Sequence, residues 1–465
     1  MGLISYLDDI VKELHNTSLV KNGFWIMKSI INYPRAILAD YKNNAYPDRK
    51  QDAVFLTAST HRQLNINGKY YDKNAGPFVG ILLEKGFNSF TLEEGYRGDY
   101  RYPRYNKTMF IPPIFYYHAV KAILLKKIEP HLHSKLRKFA EFISYLEENT
   151  SELNHRIIYS LIQRVYLIRS WSEYFKKILN KVRPKIGFVV CYYGPIGMAF
   201  ILACKESGVI SIDIQHGQQG EYNIAYGKWN KIPENGFEVL PNYFWCWGKE
   251  EVSAIESWNH KTKNHRAIIG GNLLVNEFLN NESRLSKYYE IKIKNKVQSG
   301  KKNILLSLQL VHGLTDLFIN AINSSPDNWF WWIRLHPDMK TNKKEVQKKL
   351  HLLRTKNWNI SDATNLPLYA LLKYMDVHVT SWSAVVLEAE MFGISSITTY
   401  PVGRDYFHKQ ISNTIVVEAY NLQDLIYAID IQINNKKKIA IQQTTACIWD
   451  QILGNINYAR QHPHP

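Results

Sequence analysis

The stretch Ile186–Gly217 reads IGFVVCYYGPIGMAFILACKESGVISIDIQHG. It opens on an apolar run, Ile186–Cys191, and passes through a turn at Gly194-Pro-Ile-Gly197. A helix is expected over Met198–Glu206, and a second apolar run, Val209–Ile214, follows directly. Strand, helix and strand in roughly 30 residues make a βαβ unit, whose right-handed crossover makes the sheet parallel. The second strand runs into Gln215-His216-Gly217, so polar residues stand at the carboxyl end of a parallel strand.

The same grammar extends in both directions. Upstream, Asp52–Ser59 is an apolar run ending in small polar residues, Phe90–Gly95 ends in Glu93-Glu94-Gly95, and a long helical pattern runs from Ser151 to about Lys181. Downstream, Asn242–Gly248 and Arg266–Asn272 read as further strands with turns, and 280–302 is polar and lysine-rich. The pattern then restarts with strands Asn303–Ser307, Trp329–Leu335, Trp358–Ser361, Val377–Thr380 and Ser396–Thr399, separated by helices. The expected fold is α/β, with two Rossmann-like domains facing a central cleft and an N-terminal helical addition. The expected divisions are a helical segment 1–50, an acceptor domain 51–279, a linker 280–302, a nucleotide-donor domain 303–435, and a C-terminal helix and tail 436–465. Ligands in such sheets bind beyond the carboxyl ends of the strands.

The chain has 465 residues, with 58 Lys and Arg against 41 Asp and Glu, a formal charge of +17. That balance calls for a polyanionic partner: nucleic acid, an anionic membrane or a phosphorylated substrate. No helix-turn-helix, RNA-recognition or zinc-finger pattern accompanies it, which argues against nucleic acid. Lys121, Lys126, Lys127, Lys135, Arg137 and Lys138 lie among apolar residues in 117–145 and suit an anionic membrane surface. The four cysteines show no CxxC spacing, no apolar run approaches a spanning length, and the start carries acids early. A cytoplasmic protein, peripheral at the inner face of the cytoplasmic membrane, is expected.

Three strand ends carry the chemistry. In Arg334-Leu-His336-Pro337-Asp338, a histidine between strand and proline turn can donate to a phosphate, and Arg334 lies on the same strand face. In Thr380-Ser381-Trp382-Ser383, two hydroxyls precede a helix whose free N–H groups favour an anion; Glu388 in that helix can accept from ribose hydroxyls. In Asp213-Ile-Gln215-His216-Gly217, His216 is a candidate general base, with Gln215 and Gly217 lining the acceptor side. Glu94 of Glu93-Glu94-Gly95 is a competing base. No carboxylate pair or histidine cluster has metal-ligand spacing, so no metal and no cofactor is expected.

Taken in order, IQHG (Ile214–Gly217), PNYFWCWG (Pro241–Gly248), IIGGN (Ile268–Asn272), RLHPD (Arg334–Asp338) and TSWSAVVLEAEMFG (Thr380–Gly393) resemble bacterial GT-B glycosyltransferases of surface-polysaccharide synthesis. The similarity is to the grouping of bacterial sialyltransferases, Kdo transferases and CDP-glycerol glycerophosphotransferases. It implies a metal-independent transferase taking a sugar from a nucleotide donor, CMP- or CDP-linked in most of the family and here expected to be CMP-linked, carrying a sugar such as Kdo or a sialic-acid-like one. The implied acceptor is a capsule, O-antigen or lipooligosaccharide glycan or its lipid-linked precursor. Transfer of a polyol phosphate from a CDP-polyol is the neighbouring activity. The resemblance implies that His336, Ser381 and Ser383 bind the donor phosphate. It matches His216 to the base of the glycerophosphotransferases and the Glu-Glu-Gly triplet to that of the sialyltransferases, so both bases stay open.

Overall fold

The computed structural model describes residues 31–39, 50–95, 99–111 and 155–434, without positions 222, 228, 230, 231, 261, 263, 282, 299, 337, 338 and 340–342, and also positions 141, 144 and 148. Most of segment 1–50, nearly all of the basic stretch 117–145, and the tail 436–465 lie outside the described residues.

Fifteen strands occur among the described residues. The first nine are β1 (Ala53–Ala58), β2 (Leu64–Ile66), β3 (Lys69–Tyr71), β4 (Ser89–Glu94), β5 (Thr108–Phe110), β6 (Ile186–Val190), β7 (Ile210–Ile214), β8 (Tyr243–Cys246) and β9 (Arg266–Ile269). Except for the β2–β3 hairpin they form one parallel sheet in the order β5-β4-β1-β6-β7-β8-β9. The later strands are β10 (Lys302–Ser307), β11 (Trp329–Arg334), β12 (Trp358–Asn359), β13 (Val377–Thr380), β14 (Ser396–Thr398) and β15 (Val416–Glu418). They form a second parallel sheet, β12-β11-β10-β13-β14-β15. In each sheet the chain starts in the middle, walks to one edge, then returns and walks to the other, which is the Rossmann order. The direction reverses between β1 and β6 in the first sheet and between β10 and β13 in the second.

The strands follow from burial on both faces. Every residue of β6 is buried, and β11, Trp-Phe-Trp-Trp-Ile-Arg, is buried through Ile333. Its central indoles are satisfied: Trp331 Nε1 donates to Ser325 Oγ at 2.9 Å and Trp332 Nε1 to Asn303 Oδ1 at 2.9 Å. An aromatic side chain of this size removes roughly 150–250 Å² from water, about 4–6 kcal/mol at the usual coefficient and an upper bound. On the first sheet, helix His155–Val182 buries Trp171, Phe175, Leu179 and Val182, at helical spacing, in a core shared with Phe200 and Ala203 of helix Pro195–Glu206. That second helix starts at Pro195, earlier than Met198, because proline at the first helical position forfeits no intrahelical bond.

The described residues up to Gly271 form one compact unit, and those from Asn272 form another. The polar stretch 280–302 is therefore not a free connector. It holds helix Arg284–Lys294, whose Leu285, Tyr289 and Ile293 are buried four residues apart beneath a lysine-rich face.

Candidate functional site

At the carboxyl end of β7, Asp213 is fully buried and organises both neighbouring exits. Its Oδ1 accepts from the Tyr192 N–H at 3.1 Å, and its Oδ2 accepts from the Tyr226 hydroxyl at 2.9 Å. Burial pushes this carboxyl up to about 8. Beyond β6 the chain turns sharply: Cys191 sits at φ 71°, and a Cβ on Gly197 would fall 2.4 Å from the Cys191 carbonyl oxygen. The glycine lets the following helix close against the strand end, and the strained turn presents Tyr193.

Tyr193 Oη stands 3.4 Å from His216 Nε2, and the two rings stack with centroids 6.1 Å apart. His61, just beyond the end of β1, also neighbours His216, with ring centroids 6.3 Å apart. Thr57 Oγ1 donates to Asp72 Oδ2 at 2.7 Å and lies 2.9 Å from His61 Nδ1, while Asp72 Oδ1 accepts from the N–H groups of Asn74 and Ala75. Burial pushes His61 down to about 4, and burial with the fields of His61 and Lys73 pushes His216 down to about 3. Both imidazoles are neutral at physiological pH. His216 Nδ1 is buried with no hydrogen-bond partner among the described residues.

The two glutamates at the end of β4 have opposite fates because successive strand residues face opposite sides. Glu93 is fully buried and ion-paired with Arg62, which also donates to Thr108 Oγ1 at 2.8 Å and to the Tyr70 carbonyl at 3.0 Å. Glu94 is half-buried, and its carboxyl makes no hydrogen bond or ion pair among the described residues. Burial alone pushes it up to about 7. Gly95 is required by packing, since a Cβ there would fall 2.1 Å from the Tyr100 ring.

Gln215 is buried, and the turn uses its amide: Oε1 accepts from the Trp247 N–H at 2.6 Å, and Nε2 donates to the Gly217 carbonyl at 2.9 Å. Beside Gly217 a Cβ would meet nothing within 4 Å, so no protein atom demands the glycine.

In the second unit, Ser307, Thr380 and Thr398 stand in register at the carboxyl ends of β10, β13 and β14. Thr380 Oγ1 donates to the Ser307 carbonyl at 2.8 Å and accepts from the Ser383 N–H at 3.3 Å, whereas Ser307 Oγ and Thr398 Oγ1 are buried without partners among the described residues. Ser383 Oγ accepts from the Val385 N–H at 3.3 Å, just ahead of helix Val385–Met391, whose N-cap residue is Ala384. Ser381 is 4% exposed, and its hydroxyl makes no hydrogen bond among the described residues. The loop is pinned from β10 by Gln309, whose Oε1 accepts from the Trp382 N–H at 2.7 Å.

Arg334 closes β11. Its Nη1 donates to the carbonyls of Ala363 and Leu366 at 2.6 and 2.7 Å, and Nε and Nη2 make no hydrogen bond among the described residues. Burial lowers the guanidinium to about 10 against the pull of Glu388. Glu388 Oε1 accepts from the buried Tyr369 hydroxyl at 2.6 Å, and Asn272 Nδ2 donates to that same hydroxyl at 3.3 Å. His336 is half-buried just beyond β11, and its carbonyl accepts from the Met339 N–H at 2.9 Å. Pro337 lies outside the described residues.

The first unit thus gathers His216 and, in addition, His61 and Tyr193; the second gathers Arg334 and Glu388 and adds Tyr369, Asn272 and Gln309. Among the added residues only His61 carried a readable signal, since Ser59-Thr-His61 follows an apolar run just as Gln215-His216 does. No group of three or more His, Cys, Asp or Glu among the described residues could hold a metal ion. No helix among them is long and apolar enough to cross a membrane.

No family model matches the chain, and no curated protein matches it. Solved structures do. A UDP-GlcNAc 2-epimerase from Neisseria meningitidis, bound to UDP-GlcNAc, aligns over 86% of this chain and 99% of its own, with 12% identity and a TM-score of 0.51. The UDP-GlcNAc 2-epimerase from Methanocaldococcus jannaschii covers 87% of this chain and 99% of its own at 13% identity and 0.51. A further UDP-N-acetylglucosamine 2-epimerase covers 90% and 98% at 10% identity and 0.53. At such identities the likeness speaks to fold: the chain has the GT-B type of architecture, built from two Rossmann-like domains.

Proposed function

We propose that the chain is a glycosyltransferase that moves a sugar from a nucleotide-activated donor to a surface-polysaccharide or lipid-linked glycan acceptor. The observation that carries this reading is the reversal point of the second sheet, where, among the described residues, Ser381 offers an unpartnered hydroxyl and Ser383 Oγ accepts from the Val385 N–H at the start of the following helix. The donor phosphate is bound by Ser381, Ser383, His336 and the unused nitrogens of Arg334. Glu388, oriented by Tyr369, accepts from the ribose. The fold neighbours that bind UDP-GlcNAc support a nucleotide sugar as donor, and the motif resemblance favours a cytidine nucleotide.

Glu94 is the base on this reading. A general base works best when its pKa lies near the operating pH, and a carboxyl at about 7 meets that condition where an imidazole at about 3 does not. The acceptor oxygen attacks the anomeric carbon as its proton passes to Glu94. The bond from that carbon to the phosphate oxygen breaks, and the nucleotide leaves with the electron pair. Neutral His216 positions the acceptor hydroxyl. Charge on the departing phosphate is met by side chains and backbone N–H groups, with no metal. The basic segment 117–145 meets an anionic membrane surface, and nucleic acid is not a partner.

Calorimetric titration of the full chain with CMP, CDP, UMP and UDP tests the reading, followed by donor-depletion assays with CMP-Kdo, CMP-sialic acid, CDP-glycerol and UDP-sugars. Binding of one nucleotide class, with consumption of its sugar conjugate only when a glycan acceptor is present, is the expected result, unchanged by EDTA. Absence of nucleotide binding, isomerisation of a sugar nucleotide without an acceptor, or consumption of CDP-glycerol alone would overturn it.

A further inference from the structure

Beyond β10, β13 and β14 three rings meet. His312 and Trp382 have centroids 4.5 Å apart, His312 and Tyr400 4.5 Å, and Trp382 and Tyr400 5.0 Å. They come from three loops that leave neighbouring strands, so the cluster is built by the sheet rather than by one segment. It is partly open to solvent: Tyr400 is 39% exposed, while His312 and Trp382 are half-buried, Trp382 packing against Val386, Phe407 and Val416. The Gln309 side chain, accepting from the Trp382 backbone N–H, fixes the backbone that carries the cluster's central ring.

We propose that this ledge binds a pyranose ring, either the sugar of the donor or a residue of the glycan acceptor; the inference rests on the transferase reading and deepens it. The placement argues for a sugar rather than a nucleobase. Ser381 and Ser383 flank Trp382 in the chain, so a phosphate held there lies beside the ledge. Arg334 of the Arg334–Tyr369–Glu388 group ends β11, on one side of the reversal point, and Glu388 stands six residues beyond Trp382 in the helix that follows β13, whereas Tyr400 follows β14 on the other side. A nucleotide sugar carries its nucleoside on one side of the phosphates and its sugar on the other. With the ribose at Glu388, the ledge falls to the sugar. A pyranose also fits the chemistry: its C–H faces pack on aromatic rings, and its hydroxyls need partners such as the unpaired Ser381 hydroxyl.

The test is a set of titrations of the full chain, read by saturation-transfer NMR and calorimetry, with CMP, UDP, CMP-N-acetylneuraminic acid, UDP-N-acetylglucosamine and lactose. Trp382→Leu removes the central ring, and Tyr400→Ala removes a partly exposed one with little burden on folding. The expected result is at least tenfold weaker binding of a sugar-bearing probe by Trp382→Leu and about threefold by Tyr400→Ala, with CMP and UDP unchanged within twofold. Loss confined to the nucleotide sugars identifies the donor sugar, and loss confined to lactose identifies the acceptor. Equal weakening of free nucleotides and their sugar conjugates would overturn the proposal in favour of base stacking. It is also overturned if wild type contacts no sugar probe, or if neither variant alters any sugar probe. A wild type that binds lactose through the ledge but no nucleotide would sink the transferase reading and leave the ledge standing.

Discussion

The two reversal points share a topology and differ in how their polar groups are spent. At the second, Glu388 is engaged by Tyr369, Arg334 by two carbonyls and Ser383 by the Val385 N–H, and what stays open among the described residues is the hydroxyls of Ser307, Ser381 and Thr398 and two nitrogens of Arg334. Side chains held that way form a preorganised surface suited to binding. At the first, Glu94 and the Nδ1 of His216 stand without partners among the described residues, and burial displaces the titrations of Glu94, His216 and His61. Unpaired, desolvated ionisable groups are costly to a fold and useful to a reaction. On the proposed reading the first unit serves proton transfer and the second holds the ligand.

The strongest way to break this division is Glu94→Gln. Turnover is expected to fall about a thousandfold while nucleotide affinity measured by calorimetry stays within twofold; parallel loss of both would dissolve the contrast. Next comes Ser381→Ala combined with Ser383→Ala, for which roughly tenfold weaker nucleotide binding is expected with the midpoint of thermal unfolding little changed. Unaltered affinity would remove the serines from the ligand surface. A stability experiment sharpens the first side of the comparison. Because the folded state raises Glu94 from 4.5 to about 7, it binds this proton more tightly than the unfolded chain does. That contribution is complete below pH 4.5 and disappears as pH rises toward 7. Glu94→Gln is therefore expected to melt a few degrees above wild type at pH 8 and near it at pH 4. The smallest effect is expected from Tyr369→Phe, about threefold weaker binding of CMP with 2′-deoxy-CMP unaffected. Equal weakening of both would make Tyr369 a purely structural residue.

Much of the architecture was legible because parallel strands buried on both faces leave continuous apolar runs, and β6, β7, β10, β11 and β13 all read that way. Glu94, His216, Arg334 and Ser381 were legible for the same reason, since each stands at the end of such a run. What stayed hidden depends on partners distant in sequence. Nothing local separates Glu93 from Glu94; Arg62, thirty-one residues earlier, takes one carboxylate and leaves the other free. Tyr369 acquires its meaning only through Glu388, nineteen residues on. The helix Arg284–Lys294 was obscured because its apolar stripe is narrow and its lysines dominate the composition.

The pH dependence of kcat, measured with donor and acceptor both saturating in wild type, Glu94→Gln and His216→Gln, tests the division of labour most directly. Wild type is expected to gain activity with a midpoint near pH 7 and level off above it, as the Glu94 carboxylate forms. His216→Gln should keep that rise at reduced height, and Glu94→Gln should lose it. A rise that survives in Glu94→Gln and vanishes in His216→Gln would contradict the assignment and make the histidine the base.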